Sequence, residues 1–242
     1  MIGVLVPTRK RIFHLDRCLY SLSIQKKVSL EIILVIDDDK STFEFVSRSK
    51  YIHSFEVFRR LLSKERLYAV KAFNDALAYC DSDLFIWLTN LNELTDELCL
   101  YNLVNSFGEF FPDELGVMAL NKESGAAYGM TTKKFIEYNE GEWFHEGYKI
   151  HYPDLELTQR AILMGMYAWP NTSRVLHNKE ARLIEPTIDG IQKYLMKTKD
   201  KILYRNRRKS LFYLPEKKIV DFGYDFKEFK ISLRGEINNG KN

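Results

Sequence analysis

The chain has 242 residues, of which 45% are hydrophobic and 14% aromatic, and its formal net charge is +3. This composition can fill a large core and so excludes a disordered chain, and the small net charge does not by itself indicate a nucleic-acid-binding protein. The three cysteines are widely spaced without a CxxC motif, which excludes a disulfide scaffold and a zinc knuckle and favours a reducing, cytoplasmic compartment. No stretch approaches the roughly 20 apolar residues of a membrane span.

Short apolar runs alternate with segments of helical spacing in the first half of the chain. We expect strands at Ile2–Val6, Leu30–Ile36, Ser54–Phe58 and Leu84–Leu88, and helices at 15–22, from Ser41 onward, at Tyr68–Cys80 and from an N-cap at Thr95 to Phe107. The second apolar run is almost uninterrupted, which is typical of a central parallel strand covered on both faces. The alternation predicts an α/β fold with a mostly parallel sheet flanked by helices.

The second half has a less regular pattern. We expect strands at Val117–Leu120, Ala126–Met130 and Met166–Trp169, and helices at Thr132–Tyr138, Leu155–Met164 and Ile188–Lys209. Residues 140–152 are aromatic and polar without a clear period, which predicts a loop over a site. We interpret the basic last helix as a solvated face, with a phosphate-rich acceptor, an anionic membrane surface and nucleic acid as alternatives.

Polar residues follow three of the predicted parallel strands. The first strand ends at Pro7-Thr8-Arg9-Lys10, the second at Asp37-Asp38-Asp39 and the fourth at Thr89-Asn90-Leu91-Asn92. In open α/β sheets, ligands bind outside the carboxyl ends of the strands, so we expect a binding site there. The sequence has neither GxGxxG nor GxxxxGK[ST], which argues against a dinucleotide-binding Rossmann site and against a P-loop.

Several segments fall in a recognisable order along the chain. In chain order, these segments are VLVPTRKR, LDRCLYSLSIQ, EIILVIDDDKS, KAFNDALAYCDSDLFIWL, SGAAYGMTTKKF, YPDLELTQRAILMG and VLH. Over roughly residues 1–180, this order resembles the family 2 glycosyltransferases of the GT-A fold. The resemblance implies a GT-A (Rossmann-like) domain in residues 1–185, with residues 186–242 forming a basic C-terminal helix and tail.

The resemblance also implies a site for a nucleotide-sugar donor. The implied donor-binding residues are Pro7, Thr8, Arg9, Asp37, Lys71, Asn90, Asn92 and Arg160. A carboxylate such as Asp37 can accept the ring N–H of a base, and an acid in a solvated turn is the alternative role for this residue. Lys71 falls near the donor phosphates but also fits a surface lysine. Arg160 either faces those phosphates or only solvates its helix.

The same resemblance makes Asp154 the general base of an inverting transfer, in which an acceptor hydroxyl attacks the anomeric carbon. A simple N-cap is the alternative role for this residue. We expect the helix N-terminus to lower the pKa of its carboxyl group. Glu156 is the next candidate base, and Gly129 and Trp143 fall on the acceptor side.

The sequence departs from the family where its acids bind a divalent cation. Asn90 and Asn92 replace those acids, and Pro153 replaces the first acid of the catalytic pair. Asn92 and His177 would be the metal-binding residues, although His177 is equally a structural histidine. Since Mg²⁺ and Mn²⁺ favour anionic oxygen ligands, we expect weak or no metal dependence.

Three functions remain open. The first is transfer of a sugar from a nucleotide-sugar, UDP-linked by preference, to a glycan, lipid-linked, protein or nucleic-acid acceptor, with peripheral membrane association as an option. The second is a degenerate relative that binds a nucleotide-sugar or glycan without transfer. The third is a viral or phage-type transferase or binding protein acting on nucleic acid. Transfer assays with and without EDTA separate the first two, and a salt-dependent affinity for nucleic acid would favour the third.

Overall fold

A computed structural model describes residues 1–170, 175–178, 188 and 190–220 of the chain, apart from the side chains of residues 122–124. The predicted domain boundary at 185/186 and the predicted tail after residue 220 lie outside the described residues. The division into two domains therefore stays a prediction.

The elements alternate in the order that the sequence predicts. The strands are β1 (Ile2–Thr8), β2 (Leu30–Ile36), β3 (Val57–Leu62), β4 (Leu84–Trp87), β5 (Asn92–Leu94), β6 (Val117–Ala119), β7 (Gly129–Thr132), β8 (Tyr167–Ala168) and β9 (Val175–His177). The helices are α1 (Ile12–Ser23), α2 (Lys40–Ser47), α3 (Tyr68–Ala78), α4 (Cys99–Phe110), α5 (Lys133–Tyr138), α6 (Pro153–Leu163) and α7 (Gly190–Lys209). Residues 140–152, predicted as a loop, contain neither a helix nor a strand.

Seven strands form one sheet in the order β3-β2-β1-β4-β7-β6-β8. The strands β3, β2, β1 and β4 are parallel, whereas β7 runs antiparallel to both of its neighbours. The predicted α/β fold with a mostly parallel sheet is confirmed. The short strands β5 and β9 pair separately, and their register places Asn92 opposite His177.

Helices cover both faces of the sheet, which explains the continuous apolar runs of the central strands. On β1, Val4 packs in a cluster with side chains of α1, α2 and α4. Leu5 belongs to a second cluster, which includes side chains of α3, α5 and α6. All seven residues of β2 are buried, as the sequence predicts for a central parallel strand.

Several elements differ from the prediction. The strand expected at 126–130 lies at Gly129–Thr132, and the short strands β5 and β9 were not predicted. The third strand is expected near residues 54–58 but lies at Val57–Leu62, because Arg59 and Arg60 interrupt its apolar pattern. Arg59 is accommodated at 3.2 Å from the carboxylate of Glu31, which is fully buried in β2. The helix expected from Thr95 begins at Cys99, because the chain first forms β5.

Candidate donor-binding site

A cavity of about 310 Å³ lies at the carboxyl ends of β1, β2 and β4. Its wall is formed by Pro7, Thr8, Arg9, Arg11, Asp37, Arg66, Tyr68, Ala69, Ala72, Phe73, Thr89, Asn90, Ile150, His151, Ile188 and Lys193. Five of the predicted donor-binding residues are therefore brought together: Pro7, Thr8, Arg9, Asp37 and Asn90. The place is the one where open α/β sheets bind their ligands. We call this cavity the donor cavity.

Asp37 is the most constrained polar residue of the donor cavity. Its carboxylate is only 5% exposed, accepts a hydrogen bond of 2.6 Å from the backbone N–H of Leu67, and forms an ion pair with Arg66. Burial lowers the pKa of Arg66, and the charge of Asp37 opposes that shift. Asp37 is thus a fixed part of the wall and not a solvated turn acid. Each of its oxygens retains capacity to accept a further hydrogen bond.

Two polar atoms beside Asp37 lack a protein partner within the described part of the chain. They are the buried hydroxyl oxygen of Thr8 and the buried Nε of Arg9. The Nη1 atom of Arg9 donates to the backbone carbonyl of Asp37 at 3.3 Å and lies 3.7 Å from the carboxylate of Asp38. Leaving a buried polar group without a hydrogen bond costs about 1–3 kcal/mol, so a polar ligand that reached these atoms would recover free energy.

Residues 89–92, where the resemblance places an acidic motif, are engaged in their own hydrogen bonds. Asn90 lies in the wall and donates to the carbonyl of Lys10 at 3.2 Å. Asn92 is fully buried outside the wall, and its Oδ1 accepts from the backbone N–H and hydroxyl of Thr89 at 2.7 and 2.9 Å. Its Nδ2 lies 3.3 Å from Nδ1 of His177, so the structure does bring the two predicted metal-binding residues together.

These residues do not fit a divalent cation. Leu91 is 1% exposed and carries no ligand atom, and the Oδ1 atom of Asn92 is already used by Thr89. Within the described ranges, no group of three His, Cys, Asp or Glu side chains could hold a metal ion. Cationic residues line the donor cavity instead: Arg9, Arg11, Arg66 and Lys193.

Asp154 lies in the first turn of α6, and it does not line the donor cavity, although His151 three residues earlier does. Burial raises the pKa of Asp154, against the opposing effect of the backbone N–H groups of Asp154 and Leu155. The expectation of a lowered pKa was wrong, because desolvation outweighs the effect of the helix end. A carboxylate with a raised pKa is the stronger base.

Glu156 is not available as an alternative base. Its carboxylate is 2% exposed and accepts hydrogen bonds from Arg207 at 2.7–3.0 Å and from the hydroxyl of Tyr148 at 2.6 Å. The expectation that Glu156 is the next candidate base is therefore corrected.

Arg160 and Lys71 lie outside the wall of the donor cavity. The guanidinium of Arg160 is buried 3.1 Å from the carboxylate of Glu142 and 3.7 Å from that of Glu156. Burial lowers the pKa of Arg160, and the two glutamates oppose that shift. This placement does not fit the predicted contact of Arg160 with the donor phosphates. Lys71 pairs with Asp75 at 3.0 Å on the exposed side of α3, as expected for a surface lysine.

The two residues predicted on the acceptor side have packing roles. Trp143 is 3% exposed, and its ring centroid lies 5.3 Å from that of Phe85 and 5.4 Å from that of Trp87. A Cβ atom at Gly129 would come within 2.3 Å of the Trp87 ring, so packing requires glycine there. Neither residue lines the donor cavity, and their contact with an acceptor stays a prediction.

Sequence reasoning missed several residues of the wall. Ile150 and His151 come from the loop that the sequence places over a site, but the pattern did not single them out. Arg66 lies just before α3 and belongs to no recognisable motif. Lys193 lines the cavity from α7. The position of Arg66 just before a predicted helix, after a strand, was the one local signal for its place at this edge of the sheet.

No helix of the described part of the chain is long and apolar enough to cross a membrane.

Comparison with known proteins identifies relatives by sequence family and by fold. The family model described as glycosyl transferase family 2 matches residues 3–163, whereas no curated protein matches the chain. The mannosyltransferase PcManGT from Pyrobaculum calidifontis, in complex with GDP-Man and Mn²⁺, is 17% identical with a TM-score of 0.59 over 69% of this chain and 53% of its own.

A second similar structure is TarS from S. aureus, which is 14% identical with a TM-score of 0.61 over 94% of this chain and 46% of its own. Its fragment 1–349 in complex with UDP is 14% identical with a TM-score of 0.59 over 94% of this chain and 76% of its own. This chain spans about half the length of PcManGT and of full TarS. At these identities, the likeness shows the fold alone.

Proposed function

This chain belongs to glycosyl transferase family 2, and we propose that it transfers a sugar from a UDP-linked donor to a hydroxyl acceptor with inversion. The observation that carries the proposal is the donor cavity, where the Asp37 carboxylate is held by Arg66 and Leu67 beside the unpartnered hydroxyl of Thr8. Family membership supplies the reaction type, and the cavity supplies a place for the donor.

The donor base is proposed to bind at Asp37. Uracil presents a ring N–H between two carbonyl oxygens, so it offers one donor to the Asp37 carboxylate and acceptors to neighbouring N–H and O–H groups. The hydroxyl of Thr8 and the Nε–H of Arg9 are such groups, and neither atom has a hydrogen-bond partner in the described chain. The complex of the TarS fragment with UDP supports a uracil donor, while GDP remains the alternative to test because PcManGT binds GDP-Man.

The cationic wall is proposed to hold the diphosphate of the donor. Arg11 and Lys193 line the same cavity as Asp37, and guanidinium and ammonium groups form charge-assisted hydrogen bonds with phosphate oxygens. These cations would neutralise the charge that builds up on the departing nucleoside diphosphate. This role would make a metal ion less important than in relatives that carry the acidic motif.

Transfer is proposed to use Asp154 as the general base. The acceptor hydroxyl attacks the anomeric carbon, its proton passes to the carboxylate of Asp154, and the bond from that carbon to the nucleotide oxygen breaks. The nucleoside diphosphate leaves on the opposite side, so the anomeric configuration inverts. A positioned general base contributes typically about 10²–10⁴-fold in rate.

The donor site is tested by Asp37→Asn. The variant keeps the shape and one acceptor oxygen but removes the charge that pairs with Arg66. We expect the affinity for UDP, measured by calorimetry, to fall by about 10- to 100-fold, because hydrogen bonds to charged groups contribute about 1.5–3 kcal/mol. The melting temperature should also fall, because Arg66 loses its buried partner.

Asp75→Asn is the matched control, since Asp75 pairs with Lys71 outside the donor cavity. It should leave UDP affinity unchanged. Equal UDP affinity in the wild type and the folded Asp37→Asn variant would remove Asp37 from the base pocket. Tighter binding of GDP than of UDP by the wild type would replace the proposed base.

Metal dependence is tested by restoring the acids in Asn90→Asp/Asn92→Asp. Leu91 is left unchanged because it is buried. We expect wild-type transfer to be nearly insensitive to EDTA, and we expect the double variant to bind Mn²⁺ more tightly by at least tenfold, because carboxylates add charge at the two positions. Isothermal titration with Mn²⁺ in the presence of UDP measures the difference. Micromolar affinity of the wild type for Mn²⁺ would contradict this interpretation of residues 89–92.

Binding without transfer is the second candidate function. It is favoured by Asn90 and Asn92, which stand where the family carries acids. A protein that binds UDP-sugars but releases no UDP, with or without Mn²⁺, would establish this alternative.

A further inference from the structure

The orientation of α7 about its own axis is fixed by three buried polar side chains. The carboxylate of Asp200, 1% exposed, accepts hydrogen bonds of 2.8–3.1 Å from the backbone N–H groups of residues 149–151. The hydroxyl of Tyr204 donates to Gln159 at 2.6 Å, and Arg207 pairs with Glu156 at 2.7 Å. Residues at spacings of four and three share one helix face, so this face is the one that contacts the rest of the protein.

The opposite side of α7 carries large apolar side chains that are exposed. Tyr194 is 69% exposed, Leu195 54% and Ile202 55%. At about 100° per residue, each lies about 120–160° around the helix axis from Asp200. We call these three residues the outer face of α7. The inner side of α7 is therefore held by buried polar contacts, whereas the side directed away from the protein carries exposed apolar side chains.

The exposed charged residues of α7 are all basic. Within Gly190–Lys209, all of which the structure describes, the exposed charged residues are Lys193, Lys197, Lys199, Lys201, Arg205 and Lys209. The single acid of this helix, Asp200, is buried on the inner side. At about 100° per residue, Arg205 and Lys209 fall within the arc of the outer face, and Lys199 and Lys201 lie beside it. Lys193 lies on the inner side, about 20° around the axis from Asp200. A helix that exposes apolar side chains among Lys and Arg is suited to lie in the interface of a membrane.

We propose that the outer face of α7 docks the protein on the surface of an anionic lipid bilayer. The apolar side chains would enter the boundary between headgroups and acyl chains, and the flanking cations would pair with lipid phosphates. A second copy of the chain fits this face less well, because two such helices would bring their rows of basic residues together. Charge complementarity therefore favours an anionic membrane.

Membrane docking would place the donor cavity within about one helix diameter, roughly 10–12 Å, of the lipid headgroups. Lys193 lies in the first turns of the same helix and forms part of the cavity wall. Resting on the proposed function, the acceptor is then a hydroxyl of a lipid-linked molecule, because the helix that docks also contributes to the wall of the donor cavity. This consequence depends on sugar transfer, whereas the docking itself does not.

The test is sedimentation of the full chain with vesicles of phosphatidylcholine alone and of phosphatidylcholine mixed with roughly one third of the anionic lipid phosphatidylglycerol. We expect binding to the anionic vesicles only, and we expect it to weaken as salt screens the charges.

Two triple variants test the residues of α7. Tyr194→Ser/Leu195→Ser/Ile202→Ser and Lys197→Gln/Lys201→Gln/Arg205→Gln should each bind at least tenfold more weakly. Phe110→Ser, which removes an apolar side chain that is 49% exposed on α4, should bind as the wild type does.

Several results would overturn the proposal. Absence of binding to anionic vesicles, or unchanged binding by the folded Tyr194/Leu195/Ile202 variant, would do so directly. A dimer in light scattering that this variant dissociates would assign the outer face to a second copy, and vesicle binding that appears only after removal of residues 221–242 would assign it to the chain's own tail. UDP affinity, measured without vesicles, tests the proposed function separately, so vesicle binding without UDP binding would contradict only the latter.

Discussion

Asp154→Asn is expected to lower the turnover of sugar transfer by about 10²–10⁴-fold while leaving the affinity for UDP unchanged. The substitution keeps the shape of the side chain but removes its ability to accept a proton. Asp154 does not line the donor cavity, so donor binding should not depend on its charge. Rates of UDP release at saturating donor, together with calorimetric UDP affinity, measure the two effects, with Asp75→Asn as the control aspartate.

The stability of the Asp154→Asn variant separates a catalytic role from a structural one. Burial raises the pKa of Asp154, so its stabilising contribution is present below the unfolded-state pKa and is lost as the pH rises through the raised folded-state pKa. At neutral pH the neutral asparagine should therefore leave the melting temperature unchanged or higher. A fall in melting temperature without loss of turnover would make Asp154 a helix cap only.

The same shift predicts a pH dependence. The base must be ionised, so kcat/KM should fall as the pH decreases through the raised pKa, above the range of an ordinary aspartate. This acid limb should be absent from the residual activity of Asp154→Asn. An identical limb in both enzymes would assign it to another group, and His151 in the cavity wall would be the next residue to test.

Local patterns predict the elements of the parallel sheet and the place of the donor cavity. The apolar run at Leu30–Ile36 and the polar residues after it are enough to place Asp37 at the edge of the sheet. The residues that contact Asp37 could not be predicted from local patterns. Arg66 and Leu67 reach its carboxylate from about 30 positions along the chain, and no spacing rule connects a turn acid to a later arginine.

Pairings between short strands that are distant in the chain could not be predicted from the sequence. β5 and β9 are three-residue strands that lie 80 residues apart and have no periodicity of their own, yet their register sets Asn92 opposite His177. The resemblance to the family predicts that these two residues belong together, which the pattern of neither segment does. Glu31 is similar, since a buried carboxylate within an apolar strand is explained only by its contacts with Arg59 and with residues 81 and 82.

The basic residues of α7 show that composition does not predict which charged side chains are buried. As a group they fit a solvated face, but Arg207 is 7% exposed and bound to Glu156 and Glu142. Helical spacing alone does not reveal which basic residue turns inward, because the partners lie 51 and 65 positions earlier in the chain. Arg160 was misplaced because its nearer acidic partner, Glu142, lies in the irregular segment 18 positions earlier.

Arg207→Ala is expected to lower the free energy of unfolding by about 3 kcal/mol, at the lower end of the range for breaking a buried ion pair. The loss leaves the carboxylate of Glu156 buried with Tyr148 as its hydrogen-bond donor and Arg160 at 3.7 Å. Those two remaining partners are why the upper end of the range is not expected. Since small domains have about 5–15 kcal/mol of stability in total, urea unfolding should show the change clearly.

Arg205→Ala is the control for this prediction, because Arg205 lies on the same helix but is exposed, and it should change stability by no more than about 0.5 kcal/mol. The double variant Glu156→Gln/Arg207→Met should be more stable than Arg207→Ala, since it removes both charges instead of leaving the buried Glu156 carboxylate with Arg160 at 3.7 Å as its one cation. Equal losses for Arg205→Ala and Arg207→Ala would contradict the buried pair. The pair also holds the helix that brings Lys193 to the donor cavity, so Arg207→Ala should weaken UDP binding under conditions in which the rest of the domain remains folded.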